Sequence, residues 1–316
     1  MTPMDPIILF FLLGLGAGLL RSELKLPAAV YDLISMLLLL SIGMKGGIEL
    51  AKQPFSTLLP QMLAVMGMGM LMPLLAFPVL YYVGRFKRAD AASIAAHYGS
   101  VSVATFAVAV AWFTSRNIEF EAHMPLLLAV LEIPAILVGI LLARGISKDM
   151  RLGAVAHEVF LGKGIVLLIG GLLIGWIAGP ENLAPIKPLF FDLFKGILAL
   201  FLLEMGLITA AQFGSLRQYG LFLVAFGIGM PLCSSLIGTA LGVWLGLSVG
   251  GTAMLATLAA SASYIAVPAA MRISVPQANP TLSLAASLGV TFPFNVLVGI
   301  PVYYALAQWA HSLLGS

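Results

Sequence analysis

The sequence predicts an all-α, polytopic membrane protein: ten transmembrane helices forming two inverted five-helix repeats, with some of the helices discontinuous. Three observations predict it. Of the 316 residues, 61% are hydrophobic and 9% charged, where an ordinary soluble domain carries about a quarter charged residues. So short a chain cannot hide that much apolar surface in water, which makes lipid the fitting solvent. The chain also divides into ten apolar stretches of membrane-spanning character, and its two halves share local sequence matches in the same order.

Crossing a ~30 Å hydrocarbon core takes roughly 20 helical residues. The stretches run over residues 6–20, 28–44, 56–84, 90–113, 122–144, 160–179, 187–208, 217–246, 250–272 and 279–312. The first is short, and the third and eighth are long enough to tilt. Asp5 stands where a secretory leader would carry basic residues, and no small-residue cleavage site follows, so the first stretch is expected to be a retained helix. The connections after odd-numbered helices hold Arg21, Lys25, Arg85, Lys87, Arg88, Arg144, Lys148, Arg151, Lys163, Arg217 and Arg272, against Lys45, Lys52, Arg116 and Lys187 on the other side. That bias places the first set in the cytoplasm, with both termini outside a plasma (inner) membrane. The most hydrophilic connection is the seam between the halves: residues 1–144 form the first repeat, 145–159 a cytoplasmic loop, and 160–316 the second repeat.

Three matches relate the halves. SIGMKGG (41–47), read as a turn after the second helix, aligns with EMGLITA (204–210), pairing Gly43 with Gly206. DAASIAAHYGSVSVATFAVA (90–109) aligns with GTAMLATLAASASYIAVPAA (251–270), pairing Ser100 with Ser261 and Ser102 with Ser263. LEIPAILVGI (131–140) aligns with VTFPFNVLVGI (290–300), pairing Pro134 with Pro293. Five helices per half is an odd number, so the copies insert in opposite senses, the plan of many secondary transporters. A duplicated helical bundle without transport is the plainer alternative.

The fourth and ninth stretches carry polar residues in their middles: Gly99, Ser100, Ser102 and Thr105 in one, Ser261, Ser263, Tyr264 and then Pro268 in the other. Gly and Ser weaken helices, and a break in lipid is tolerated only where protein or a wet cavity satisfies the freed amides. Two breaks would bring two half-helix N-termini together, giving a small oxyanion free N–H groups, dipole ends and hydroxyls without any Arg or Lys. Close helix packing through small residues is the competing possibility.

Glu132 lies mid-span in the fifth stretch, where an ionisable group is costly and functional by default. It is a candidate to ligate Na+, to carry a proton, or to make a structural hydrogen bond. Its repeat partner is Thr291, and Asn295 is expected either to supply oxygen ligands or to bridge helices. Asp32, Lys195 and Glu204 are expected to be interfacial or paired. His97 stands three residues before Ser100, the spacing of helical neighbours, yet no second histidine and no Gly-x-Ser-x-Gly elbow completes a hydrolase. No zinc-type spacing or P-loop is present, so an enzyme or an ATP-driven pump is not expected. The run MLAVMGMGMLMP (62–73) invites a copper reading, but methionine packing between helices accounts for it, with Pro73 and Pro78 kinking the helix. Cys233 is the sole cysteine, and the net charge of +3 is scattered, which argues against nucleic acid.

GSVSVAT (99–105), LEIPA (131–135) and SASYIAVPAAMR (261–272) resemble the sodium-dependent bicarbonate transporter family known from cyanobacteria, and the likeness runs from SIGMKGG to FPFNVLVGIP. The resemblance implies a bicarbonate/Na+ symporter of ten helices, assembled as a homotrimer in the lipid bilayer, with a core domain carrying the broken helices. It implies that Gly99, Ser102, Thr105, Ser261, Ala262, Ser263 and Tyr264 line the substrate site, together with Ser100, which occupies a position that can be Ala. It implies that Glu132, standing where family members carry Asp, is the sodium ligand, joined by Ser102 and Ser263. Na+ would be the coupling ion, with no organic cofactor. A PII-like regulatory protein at the cytoplasmic face is the further partner it implies. Symport of another small anion or carboxylate, and a non-transporting receptor governed by a soluble partner, are the other readings of the same chain.

Overall fold

The computed structural model describes residues 6–52, 55–145, 153, 157 and 161–313. The described residues form helices and turns with no strand. Eight helical segments are long and apolar enough to cross a membrane, and two shorter apolar helices, Pro6–Leu19 and Val249–Ala259, accompany them. Most of the seam at 145–159, including Lys148 and Arg151, lies outside the described residues, as does Asp5.

In the first half, α1 spans Pro6–Leu19 and α2 Ala28–Leu50. α2 therefore runs six residues past the predicted end at 44, so the segment 41–47 is helix and not the turn the sequence suggests; its glycines serve packing. α3 (Phe55–Pro78) contains Pro60 and Pro73 and passes after Pro78 into a π turn, Val79–Val83, the kind of irregularity a missing N–H produces. Met68 and Met72 of the methionine run are buried in the core. α4 (Arg88–Gly99) and α5 (Val103–Ser115) are halves of one broken span, as are α6 (Met124–Leu131) and α7 (Pro134–Arg144).

In the second half, α8 covers Lys163–Leu183 and α9 Phe194–Trp244, the latter interrupted at Gly220, where φ is 79°. α10 (Val249–Ala259) and α11 (Ala266–Ser274) again form a broken span. The last column begins with α12 (Pro280–Ala286), passes through π turns at Ser287–Thr291 and Asn295–Gly299 around Pro293, and ends with α13 (Ile300–Ser312).

Close backbone approach holds two helix pairs together. Between α2 and α8, Gly43 sits against the Leu168 carbonyl and Gly171, Gly171 against the Leu40 carbonyl, and Gly175 against the Met44 carbonyl. Between α1 and α9, Gly206 sits against the Phe11 carbonyl, Gly14 against the Leu203 carbonyl, and Gly18 against Leu207 and Ala210. None of these sites has room for a Cβ without something shifting. In lipid no hydrophobic force separates helix from tail, so close packing through small residues carries such contacts.

A side chain on α8 therefore separates two outcomes. Gly175→Leu pushes into the Met44 backbone and lowers stability by about 1–3 kcal/mol, seen as a lower apparent melting temperature of the purified protein in detergent. Gly170→Leu, on the same helix with nothing near its Cβ position, leaves that temperature close to wild type.

Candidate functional site

Both midspan breaks are real. Helix α4 stops at Gly99, and the chain runs extended through Ser100 (φ −96°, ψ 179°) and Ser102 (φ −109°, ψ 112°) before α5 begins at Val103. Helix α10 stops at Ala259, residues 261–263 carry no regular structure, and α11 begins at Ala266. Gly99 ends α4 where a side chain would collide with Pro73 and the Gly69 carbonyl of α3. Ser102 caps α5, its Oγ accepting from the Thr105 amide at 3.1 Å, the usual way to satisfy one early helix N–H.

The two breaks hold each other. The Ser102 amide donates to Ser261 Oγ at 3.1 Å, and the Ser263 amide donates to the His97 carbonyl at 2.9 Å. Ser261 Oγ in turn donates to the Leu258 carbonyl at 2.8 Å. On α10, the Ala260 carbonyl freed by the break accepts from Asn295 Nδ2 at 2.9 Å, and Asn295 Oδ1 accepts from the Tyr303 hydroxyl at 2.6 Å. Asn295 thus bridges helices. A span that loses its internal ladder in lipid survives only if other groups take over, and here the partner break and the last column do so.

Next to the crossing lies a cavity of about 240 Å³. Its wall joins Val103, Ala104 and Ala107 of α5, Ile265, Ala266 and Ala269 at the start of α11, Glu132, Phe201 of α9, Ser35, Leu38 and Leu39 of α2, and residues 162–165 including Lys163. The first N–H groups of a helix have no partner within it, so the amide ends of two helices and one carboxylate share a single hollow. Glu132 sits at the point where α6 gives way to α7; it is 6% exposed, and its Oε2 has no hydrogen-bond partner. A buried carboxylate oxygen without a donor is an expensive arrangement unless a cation or proton meets it.

The sequence-predicted residues are distributed unevenly around this hollow. Glu132 lines it. Ser100, Ser102, Thr105, Ser261, Ala262 and Ser263 are all buried at 1–3% exposure and lie outside the cavity wall, as do Gly99 and Tyr264. Tyr264 stacks edge-on against Phe292 at 5.9 Å, and its hydroxyl makes no hydrogen bond, with Ser102 its polar neighbour. The wall residues sequence reasoning missed include Val103, Ala104, Ile265 and Ala266, which stand at the starts of α5 and α11. Their signal was positional: each pair follows the serine-rich break it depends on.

Of the remaining candidates, Asp32 and Glu204 are partnered, His97 is partnered on one nitrogen only, and Lys195 has no partner among the described residues and lines a second hollow. His97 Nδ1 bonds the Ser93 carbonyl at 2.7 Å while its Nε2 and Ser100 Oγ are each without a partner, so no hydrogen bond joins the two. Asp32 pairs with Lys163 at 2.7 Å on the surface, and Glu204 accepts from the Leu26 amide at 3.3 Å. Among the described residues no cluster of His, Cys, Asp and Glu is suited to a metal ion.

The family model of the Na+-dependent bicarbonate transporter superfamily matches residues 6–308. No curated protein matches the chain.

The crossing is open to direct test. Ser261→Ala strips the buried Ser102 amide of its acceptor and costs about 1–3 kcal/mol, read as a drop in apparent melting temperature. Ser100→Ala removes an oxygen that bonds nothing and stays within about 0.5 kcal/mol of wild type.

Proposed function

The chain belongs to the Na+-dependent bicarbonate transporter superfamily, and from that premise we propose that it is a secondary transporter carrying bicarbonate into the cell together with Na+. The observation that carries this reading is the shared hollow, where the N-terminal turns of α5 and α11 meet the unpartnered Glu132 carboxylate. Amide N–H groups and dipole ends suit a small oxyanion. Sodium is the complementary ligand at Glu132, because a hard cation takes carboxylate, hydroxyl and carbonyl oxygens. Ser102 immediately precedes α5 and Ser263 lies three residues before α11, and both are proposed to join the sodium site. The predicted site hydroxyls then act one layer back, setting the breaks that present the amides.

Opposite charges placed in one poorly hydrated hollow stabilise each other, so each ligand binds better with the other present. A site empty of either partner leaves an uncompensated charge or a row of orphan donors, which disfavours crossing with half a load. Alternating access then follows from rocking of one unit against the other about the fixed site. The glycine contacts support the inverted-repeat plan behind such motion. Gly43 meets Leu168 and Gly171 as its repeat partner Gly206 meets Phe11 and Gly14, so the second helix of each half packs on the first helix of the other. Ten spans, termini outside and a plasma-membrane location complete the proposal. The Asp32–Lys163 pair and the Arg88 bond to the Leu142 carbonyl, 2.7 Å each, support a common cytoplasmic face for the basic set. A trimer and a PII-like partner belong to the proposal through the family resemblance.

The cavity's size favours one second reading. At about 240 Å³ it exceeds the ~30 Å³ that one water occupies in the liquid several times over, which leaves room for a small carboxylate in place of hydrated bicarbonate. A panel of labelled anions, offered to the reconstituted protein with and without a sodium gradient, separates the two.

Bicarbonate uptake into vesicles is expected to need inward-directed Na+; uptake at the same rate without it sinks the coupling. Glu132→Gln keeps the shape and removes the charge. It is expected to abolish sodium's enhancement of anion affinity, a coupling of about 5–150-fold in typical cases, measured by anion binding at zero and saturating Na+.

A further inference from the structure

A second hollow, of about 360 Å³, occupies the other end of the same interface. The two are neighbours along the helices they share. On α5 Ala107 lines the first and Phe106 the second; on α2 Leu39 lines the first and Ser41 the second. From there α2 continues to Lys45 and Glu49, α5 to Thr114, and the start of α9 contributes Phe194 and Lys195 after Asp192. This is the end of α2 opposite the Asp32–Lys163 pair.

Four charged side chains line this hollow, and they are unequally paired. Glu49 is held by Lys52 at 2.8 Å, and Asp192 lies 3.9 Å from Lys187. Neither of those lysines is part of the cavity wall. Lys45 and Lys195 have no ion pair or hydrogen bond among the described residues. The wall therefore presents two ammonium groups whose nearby acids are already engaged, above a lining rich in phenylalanine: Phe106, Phe120, Phe190, Phe191 and Phe194. With Lys52 and Lys187 holding the two acids, the mouth of the hollow keeps an excess of positive charge at Lys45 and Lys195, and a concave low-dielectric wall focuses such a field and raises the local concentration of the opposite ion.

We propose that the Lys45–Lys195 hollow is a receiving site for a small monovalent oxyanion, distinct from the helix-end site and in line with it. An ammonium is a compact point charge with three rotatable donors. It attracts an anion without imposing the fixed geometry of a guanidinium clamp, which suits a place that must release its ligand inward. Screening limits the reach of these charges to ~8 Å at physiological ionic strength, so they act on an anion that has entered the hollow. This inference rests on the transport reading above, and it names the outer station of the same path.

The test is the rate of labelled bicarbonate uptake by the reconstituted full chain, against bicarbonate concentration and at two ionic strengths. The double variant Lys45→Gln/Lys195→Gln is expected to raise KM about three- to tenfold at low salt, within the range of electrostatic steering, with kcat unchanged. The gap closes at high salt, and Lys45→Arg/Lys195→Arg keeps the wild-type KM. A double Gln variant with wild-type KM at low salt overturns the receiving site and leaves the transport reading intact. No uptake by the wild-type protein overturns the transport reading, and the receiving site with it. Should the Gln variant fail to insert, the wild-type salt titration decides: a KM rising with salt supports the site, and a flat one overturns it.

Discussion

A backbone amide inside a bilayer has no water to turn to, and that constraint governs this structure more than any other. Each of the two broken spans gives up several links of its helical ladder. The cost is met locally. Ser102 caps its own helix, Ser261 accepts from the opposite break, the His97 carbonyl accepts from Ser263, and Asn295 reaches across to the Ala260 carbonyl. The Thr105 and Val267 amides are taken by Ser102 Oγ and Ser263 Oγ and Pro268 has no N–H, so what these bonds leave over are the amides of Val103, Ala104, Ile265 and Ala266, residues that line the cavity. The hydroxyl network and the unpaired amides are thus two sides of one arrangement: the hydroxyls absorb the donors and acceptors that would otherwise collapse the break, and the remaining donors stay unpaired.

Much of this was legible in the chain. Gly99, Ser100 and Ser102 in the middle of one apolar stretch, and Ser261 and Ser263 in the middle of another, were enough to locate both breaks, because helix-weakening residues at matched depths of two membrane spans mark the places where the ladder yields first. The acidic residue at 132 announced itself by its depth. The identity of the cavity wall was not legible. Val103, Ala104, Ile265 and Ala266 have apolar side chains that mark no chemistry, and a backbone amide carries no residue signature. The interruption of the fifth span at Glu132 was also hidden, since Pro134 two residues later is tolerated inside many membrane helices. The segment SIGMKGG misled in the opposite direction: its glycines looked like a turn, yet in α2 they allow Leu168, Leu172 and their neighbours on α8 to come within backbone contact.

Those glycines also bear on how rigid each part can be. Interfaces made of backbone against backbone have little freedom to slide, because small displacements bring carbonyls into collision. The α2–α8 and α1–α9 pairs are built this way. The two cavities, by contrast, lie where α2 and α9 face α5, α6 and α11 across side chains such as Leu38, Phe106 and Phe201. Side-chain surfaces can repack against one another while glycine seams cannot. On the transport reading proposed above, the seams would mark units that move whole, and the cavity-lined interface the surface between them.

Glu132 and Thr291, matched between the two halves by sequence, meet a similar backbone irregularity with different side chains. Both precede a proline by two residues, Pro134 and Pro293, and both fall where the helix departs from α geometry. A proline withholds one N–H from the turn before it, which loosens that turn in either repeat. The outcomes then diverge with the side chain. Thr291 Oγ1 donates to the Gly227 carbonyl and accepts from the Tyr98 hydroxyl, each at 2.7 Å, so its polar capacity is engaged and the local opening is locked. Glu132 keeps an oxygen with no donor beside a cavity. The same backbone irregularity is thus closed in one half by a neutral hydrogen-bond chain and left open in the other by a carboxylate. The carboxylate therefore stands in one half only, at a cavity whose wall it shares with the starts of α5 and α11.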